Sequence, residues 1–527
     1  MEFLLGFMLK LHKCRIPPIP RILIHIPRGF QLHPYTRSPI HPFTRSPIHP
    51  FTRLPVYPFT RSPVYPFTRS PVHLFTRSPV HPFILHDSRQ YFTKIDMMNF
   101  EYKKKLYLAP SINQKTIIMR KITVLLLSLC LAAPTLFGGG YQVHLHSMRN
   151  IGMGLIGTSL SYDASSLFYN PGGTPFLEKK WSFSGGVNLL MSRVTFQHEN
   201  STEIAHLDHE LNTPLYFYAA FKPTKNLSVG LAVNTPYGNG LSWGEKWQGR
   251  YLIQDISFKA FTFQPTVSYK FGDFIGIGVG LVYATGSVNM NKAIPLQGST
   301  GDGKMNITGN TSNFGFNAGV MVHPVKGLSL GLDYRSKIEM KVKGGDATFT
   351  VPQSLSTNFP NNKVDVMLPL PANLDFGASY EFGKNKQWMV GLNLCYVFWG
   401  TYDSLVFTFE KTTAAVGRTA QPTLYSNKLV PRIGAQYRMN ETFTFRIGGY
   451  FDQSPVKDDY LNPQTPSLDQ IGLTCGASIY PLKGFSIDLS FLYITGKERT
   501  GTYSPENFAG TYKNQVFIPG IGLTYCF

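Results

Sequence analysis

FTFQPTVSYKF, residues 261–271, alternates without a break. Phe261, Phe263, Pro265, Val267, Tyr269 and Phe271 fall on one face of an extended chain, and Thr262, Gln264, Thr266, Ser268 and Lys270 on the other. Successive side chains of a strand point to opposite faces, so this segment has one oily face and one wet one. Two residues, Gly272-Asp273, separate it from 274–289, where Ile275, Ile277, Val279 and Leu281 alternate with Gly276, Gly278 and Gly280. GIGVG looks like a fragment of a nucleotide loop, but no helix follows it, which argues against a phosphate cradle.

The same period returns along the chain. Phe485, Ile487, Leu489 and Phe491 alternate with Ser486, Asp488 and Ser490; Ala372, Leu374, Phe376, Ala378 and Tyr380 alternate with Asn373, Asp375, Gly377 and Ser379. Fourteen such segments are expected, at 181–195, 214–221, 227–236, 259–271, 274–289, 313–325, 328–341, 372–382, 388–402, 428–438, 443–452, 469–480, 485–494 and 515–527. Their connections also alternate. Those at 222–226, 272–273, 326–327, 383–387, 439–442 and 481–484 are tight, and those between are mostly long and polar. A soluble sandwich has no reason to sort its loops by length. An outer-membrane barrel does, with tight periplasmic turns, long outer loops, and lipid-facing residues alternating with lumen-facing ones. In lipid the sheet must also close, because an open edge leaves backbone groups unpaired. The expected fold is all-β, a 14-stranded antiparallel transmembrane barrel. In the last segment Phe517, Pro519, Ile521, Leu523, Tyr525 and Phe527 share one face, which resembles the signal read by the barrel assembly machinery.

The formal charge of +20 misleads. Nineteen of the 50 basic residues but four of the 30 acidic ones fall in 1–121, leaving 31 against 26, so nucleic-acid binding does not follow. Within that front, an octapeptide of the form FTRSPVHP recurs six times between Tyr35 and Pro82. Met119-Arg120-Lys121 and the apolar run 122–131 then read as a signal peptide, too short to span a bilayer. Residues 1–118 are therefore expected to be a non-native or untranslated leader, 119–138 the signal, 139–178 a separate N-terminal unit and 179–527 the barrel. Beyond the leader, Cys395, Cys475 and Cys526 suggest neither a disulfide framework nor a zinc site.

The unit between signal and barrel is rich in glycine and small polar residues and carries the turn Asn170-Pro171-Gly172-Gly173. It gives neither a strand nor a convincing amphipathic helix. A compact irregular segment of this kind suits a lumen hatch, and glycines on the inner wall leave space for a plug or a greasy ligand.

Three sets of residues resemble the FadL/TodX outer-membrane transporters of long-chain fatty acids and hydrocarbons. They are Gly140-Tyr141-Gln142; Ser165-Ser166-Leu167-Phe168-Tyr169-Asn170-Pro171; and Thr235-Pro236-Tyr237-Gly238 with Trp247-Gln248-Gly249-Arg250-Tyr251 and Gln264-Pro265-Thr266-Val267-Ser268-Tyr269. The resemblance implies a hatch filling the lumen, a kinked third strand and passive sideways exit of a hydrophobic substrate into the outer-membrane lipid. The family commonly has Asn-Pro-Ala where this chain has Asn170-Pro171-Gly172, which should loosen the hatch turn. On this basis the hatch residues are Tyr141, Gln142, Ser165, Ser166, Asn170, Pro171 and Gly172. The wall opening falls at Asn234, Thr235, Pro236, Tyr237 and Gly238, since Pro236 has no N–H for the ladder.

A fatty-acid carboxylate in a dry pocket needs a cation. Arg250 is the first candidate and the lumen-facing Arg432 and Arg446 are weaker ones; each could equally pair with Asp333, Asp375 or Asp488 in a structural network. A general porin and an adhesin barrel are the rival readings; a porin needs an open lumen. His198, His206, Asp208, His209 and Glu210 cluster between the first two strands, but no second cluster completes a metal site and no cofactor is expected. No Ser/His/Asp arrangement has a motif context for an enzyme. A monomer is expected, because each barrel closes its own edges.

Overall fold

The computed structural model describes residues 140–208, 211–296 and 301–527. The expected leader, its repeats and the signal lie outside the described residues.

The described residues form one closed antiparallel sheet of fourteen strands. Several strands are interrupted by a bend. They are β1 (Trp181–Asn188, then Leu190–His198), β2 (Leu215–Phe221, with outer pieces Ile204–His206 and Leu211–Asn212), β3 (Leu227–Ser242), β4 (Asp255–Phe271) and β5 (Ile275–Ile294). Next come β6 (Gly303–Val325), β7 (Leu328–Arg335, then Ile338–Thr350), β8 (Asn362–Leu370, then Asn373–Phe382), β9 (Trp388–Val397, then Ser404–Phe409) and β10 (Thr419–Pro422, then Lys428–Arg438). The last are β11 (Phe443–Asp452), β12 (Gln470–Leu482), β13 (Phe485–Gly496, then Arg499–Tyr503) and β14 (Phe508–Cys526). Closure is direct: Ser182 to Asn188 of β1 pair with Cys526 to Gly520 of β14, and Trp181 and Phe527 exchange backbone hydrogen bonds of 2.9 and 3.0 Å.

The alternation has the sense a lipid solvent requires. On β4, Thr262, Gln264, Thr266 and Ser268 are buried inside, while Phe261, Phe263, Val267, Tyr269 and Phe271 are exposed outside. Tight turns join the strands at one end, and Gly327 (φ 88°) and Gly484 (φ 80°) supply the left-handed conformation that the two shortest demand. Strand existence and the tight turns match the sequence pattern. Many strands run further outward than expected: β3 continues past Pro236 to Ser242, and β6 begins at Gly303 rather than Asn313.

Inside the barrel sits the segment 140–178. It is not wholly irregular: α1 (Met148–Gly152) and α2 (Ser166–Tyr169) are single turns, followed by a 3-10 turn at Pro171–Phe176. Ile151, Met153, Leu155, Ile156 and Leu167 are almost completely buried, and α1 packs on β12 and β13.

Candidate functional site

The lower lumen is a polar seam between hatch and wall. Arg149 of α1 lies 3.0 Å from Asp488 and 3.5 Å from Asp163, and donates to Ser486 at 2.5 Å. All of these groups are buried, so each charge depends on the others. Arg335 donates to Phe168 O at 2.7 Å and to Gln264 Oε1 at 3.1 Å, with its guanidinium 4.0 Å from the Phe168 ring centroid. Ser165 and Ser166 bond within the hatch: Ser165 N–H donates to Asp163 Oδ1 at 2.8 Å, and the Ser166 hydroxyl to Asp163 O at 3.1 Å. Neither Arg149 nor Arg335 belongs to a motif, and nothing local in the sequence marks them.

Asn170-Pro171-Gly172 lies directly against the wall. The Asn170 side chain accepts from Gly172 N–H at 2.9 Å and donates to Thr158 O at 2.7 Å and to Val320 O of β6 at 2.9 Å. A Cβ on Gly172 would meet Gly276 O at 2.7 Å, Gly319 O at 2.8 Å and Met321 N at 2.9 Å, closer than a side chain can come. A Cβ on Gly278 would meet Pro171 at 2.6 Å. The glycine in place of alanine therefore does not loosen the turn; it lets the turn lie against bare backbone. Of the two uses open to the wall glycines, the plug takes this one.

The upper lumen is different in kind. The pairing of β2 with β3 ends at Tyr216 and Asn234, and β3 slips register against β4 between Asn234 and Tyr237. Above that break the hatch's first residues take the place of β2. Val143 N–H donates to Pro236 O at 2.9 Å, Gly238 N–H to Tyr141 O at 3.2 Å, and Gln142 bridges Tyr237. Thr235 shares its hydroxyl with the backbone of Leu215 at 3.2 and 3.3 Å. Tyr141 points inward, where its ring lies 4.9 Å from Trp399, 5.7 Å from Tyr402 and 6.5 Å from both Tyr237 and Phe258, and its hydroxyl donates to Pro369 O.

Two cavities meet at this residue, and a third adjoins one of them. A wall cavity of about 450 Å³ lies between β1, β2 and β3, reaching from Tyr141 and Val143 to Leu215 and the outward-facing Phe261. A lumen cavity of about 60 Å³ is lined mainly by Ile256, Phe258, Met290, Met340, Leu405 and Phe407, and no charged side chain lines it. An outer groove of about 270 Å³ carries Phe349, Phe359, Phe409 and Tyr251 with Lys292 and Glu506. Groove and lumen cavity share Met290 and Phe407; lumen and wall cavities share Tyr141, Asn239, Phe258 and Thr465.

The three candidate arginines line none of these cavities. Arg250 is at the edge of the outer groove, 2.7 Å from Asp302 and 2.9 Å from the Tyr251 hydroxyl. The hydrogen bonds from Arg250 and then Tyr251 hold the Asp302 carboxyl below the usual carboxylate range. Arg432 donates to Leu155 O at 3.2 Å and meets His144, and Arg446 donates to Gln436 at 2.8 Å and Ser478 at 2.6 Å. Both brace the lower lumen. Of their expected partners, Asp488 joins Arg149, while Asp333 and Asp375 accept from Asn317 and Asn393. In the outer loop, His198 Nδ1 accepts from Asn200 N–H at 3.2 Å and Asp208 from the Ser242 hydroxyl at 2.7 Å; His209 and Glu210 lie outside the described residues.

A closed barrel with lipid-facing aromatics, an occupied lumen and a register slip in a wall strand defines an outer-membrane barrel built around a hatch. The family model for the outer membrane protein transport protein (OMPP1/FadL/TodX) matches residues 129–527, and the chain belongs to that family. It is thus an outer-membrane transport protein of a Gram-negative envelope. It is 22% identical over 465 residues to a putative outer membrane protein of Neisseria meningitidis serogroup B, covering 77% of this chain and 98% of the relative. It is 22% identical over 451 residues to the long-chain fatty acid transport protein of Salmonella typhi, covering 79% and 100%. The fold matches crystal structures of a Pseudomonas aeruginosa FadL homologue (TM-score 0.66, 17% identity, 74% of this chain and 100% of that one) and of the toluene transporter TodX of P. putida (TM-score 0.57, 17% identity, 74% and 99%).

Proposed function

We propose that this protein carries hydrophobic molecules passively from the outer groove, through the lumen cavity, to the wall cavity at the β3 break and from there sideways into the membrane. The hatch floor stays in place, and the segment from Gly140 to Val143 is the gate. The observation that carries this reading is Tyr141: one residue of the hatch fills the aromatic cage, lines both inner cavities and hydrogen-bonds across the broken strand. Apolar solutes cross a lipopolysaccharide leaflet poorly, and a sideways exit avoids the polar periplasmic end of the lumen.

The relatives' names span fatty acids and toluene. The uncharged lining favours an uncharged hydrophobe, because a carboxylate there would lack a partner. A fatty-acid head group would have to stay in the outer groove, near Lys292 and Arg250. A porin is disfavoured by the filled lumen. The barrel closes its own edges and is expected to act as a monomer, inserted by the barrel assembly machinery.

The test is native mass spectrometry with toluene and with oleate on the wild type and Tyr141→Ala. Toluene should bind the variant more tightly, since the cage is vacated, and oleate binding should fall with Arg250→Ala but not affect toluene. Unchanged toluene binding in the variant would remove Tyr141 from the gate, and passage of small hydrophilic solutes into wild-type liposomes would restore the porin.

A further inference from the structure

The outer surface of the barrel carries a second feature, away from the transport path, where β14, β1 and the outer piece of β2 meet. Tyr493, Phe517 and Met191 form one lipid-facing row across β13, β14 and β1, since Tyr493 pairs with Phe517 and Phe517 with Met191. Aromatic residues on a barrel's outside mark the level of the lipid head groups. Two residues higher on each strand, about 7 Å further out, the surface turns cationic.

Arg193 follows Met191 and rides above the Phe517 ring at 5.7 Å. The register sets Arg193 opposite Gln515 and Thr195 opposite Lys513, so Arg193 and Lys513 are diagonal neighbours on one face, about 7–8 Å apart at the backbone. Thr195 pairs on its other side with His206, which faces the same way. These side chains line a depression of about 610 Å³, which the Glu498 carboxylate also lines. Among the described residues neither Arg193 nor Lys513 forms an ion pair. By contrast, Lys337 and Lys341 meet Glu339 at 2.9 and 3.3 Å, and Lys363 meets Asp346 at 2.6 Å.

From this juxtaposition we infer that the depression bounded by Arg193, Lys513 and His206 binds a phosphate of lipopolysaccharide in the outer leaflet, with the acyl chains lying on Met191, Phe517 and the apolar wall below. Two unpaired cations at phosphate depth complement an anionic head group, and the exposed Leu189, Met191 and Ile521 continue the surface into the hydrocarbon layer. A lipid held there would stand beside β1 and β2, the strands that frame the wall cavity.

The full chain, purified in non-ionic detergent, is titrated by native mass spectrometry with bisphosphorylated lipid A, with the same lipid dephosphorylated, and with inorganic phosphate. The wild type should bind the phosphorylated lipid roughly tenfold more tightly than R193Q/K513Q does. R193K should retain wild-type binding, and the dephosphorylated lipid should not distinguish wild type from double variant. The variants alter lipid-facing side chains alone, and a heat-induced mobility shift on electrophoresis checks their barrels. Equal binding of the two lipids by the wild type would overturn the inference, as would undiminished binding by the folded double variant. Displacement of the lipid by an equal concentration of inorganic phosphate would also overturn it, in favour of a free-anion site.

Discussion

The lower and upper halves of the lumen are built from opposite materials. Below, hatch and wall touch through buried charges, glycine backbones and the Asn170 side chain; above, they touch through aromatic rings and a short stretch of backbone ladder. Paired charges in a dry interior cannot part without leaving one another unsatisfied, whereas rings slide past one another at small cost. The contrast supports the proposal that the floor holds while the first residues of the hatch move.

The largest expected effect comes from breaking the floor. Arg149→Ala leaves Asp488 and Asp163 buried without their cation and should cost hatch docking about 3–5 kcal/mol. Channel recordings should then show small-ion conductance absent from the wild type, with the barrel's own thermal unfolding little changed. An equally silent variant would mean the charges do not hold the hatch. Gly172→Ala tests the glycine contact and should cost about 1–3 kcal/mol by overpacking against β5 and β6, seen as faster proteolysis of the hatch in detergent.

A smaller effect concerns the outer loops. Burial pushes the Asp469 carboxyl up to about 6, against the pull of Arg499 and Lys428, and Asp469 accepts from Ser454 N–H at 3.1 Å. A carboxyl raised in the folded state contributes stability that is full below its unfolded value near 4 and is lost as pH rises through about 6. Thermal stability of the wild type should therefore fall modestly from pH 4 to 6, and Asp469→Asn should flatten that slope. The group is part-exposed, so the change is small.

The same contrast explains what the sequence could reveal. Lipid on one side and a wet lumen on the other impose a strict period of two, so the strand cores were legible from residues such as Phe261 to Phe271. Beyond the membrane the outer face turns polar and the inner one keeps only scattered apolar residues, Met305 and Ile307 on β6, so the outer part of that strand, with Thr308, Asn310 and Ser312 facing out, offers too short an alternation to read. The register slip in β3 falls at Pro236, which cannot donate to a ladder. The floor was not legible. Arg149 meets Asp488 across 339 positions of chain, and Gly172 meets β5 and β6 backbone; neither contact leaves a local pattern. Arg250 drew notice as a lone cation in a motif, yet its partner Asp302 stands in the next outer loop.

On the proposed route the hatch's first residues must leave β3 for transport to occur. Gln142 and Tyr237 bridge directly, and opposed residues of an antiparallel pair are within the Cα spacing of a disulfide, about 4.5–5.5 Å. The measurement is uptake of radiolabelled toluene by cells carrying Gln142→Cys/Tyr237→Cys as their sole copy, oxidised and then reduced. Gating by these residues predicts uptake abolished when the cross-link is formed, restored on reduction, and normal in each single variant. Wild-type uptake through the cross-linked protein would contradict it.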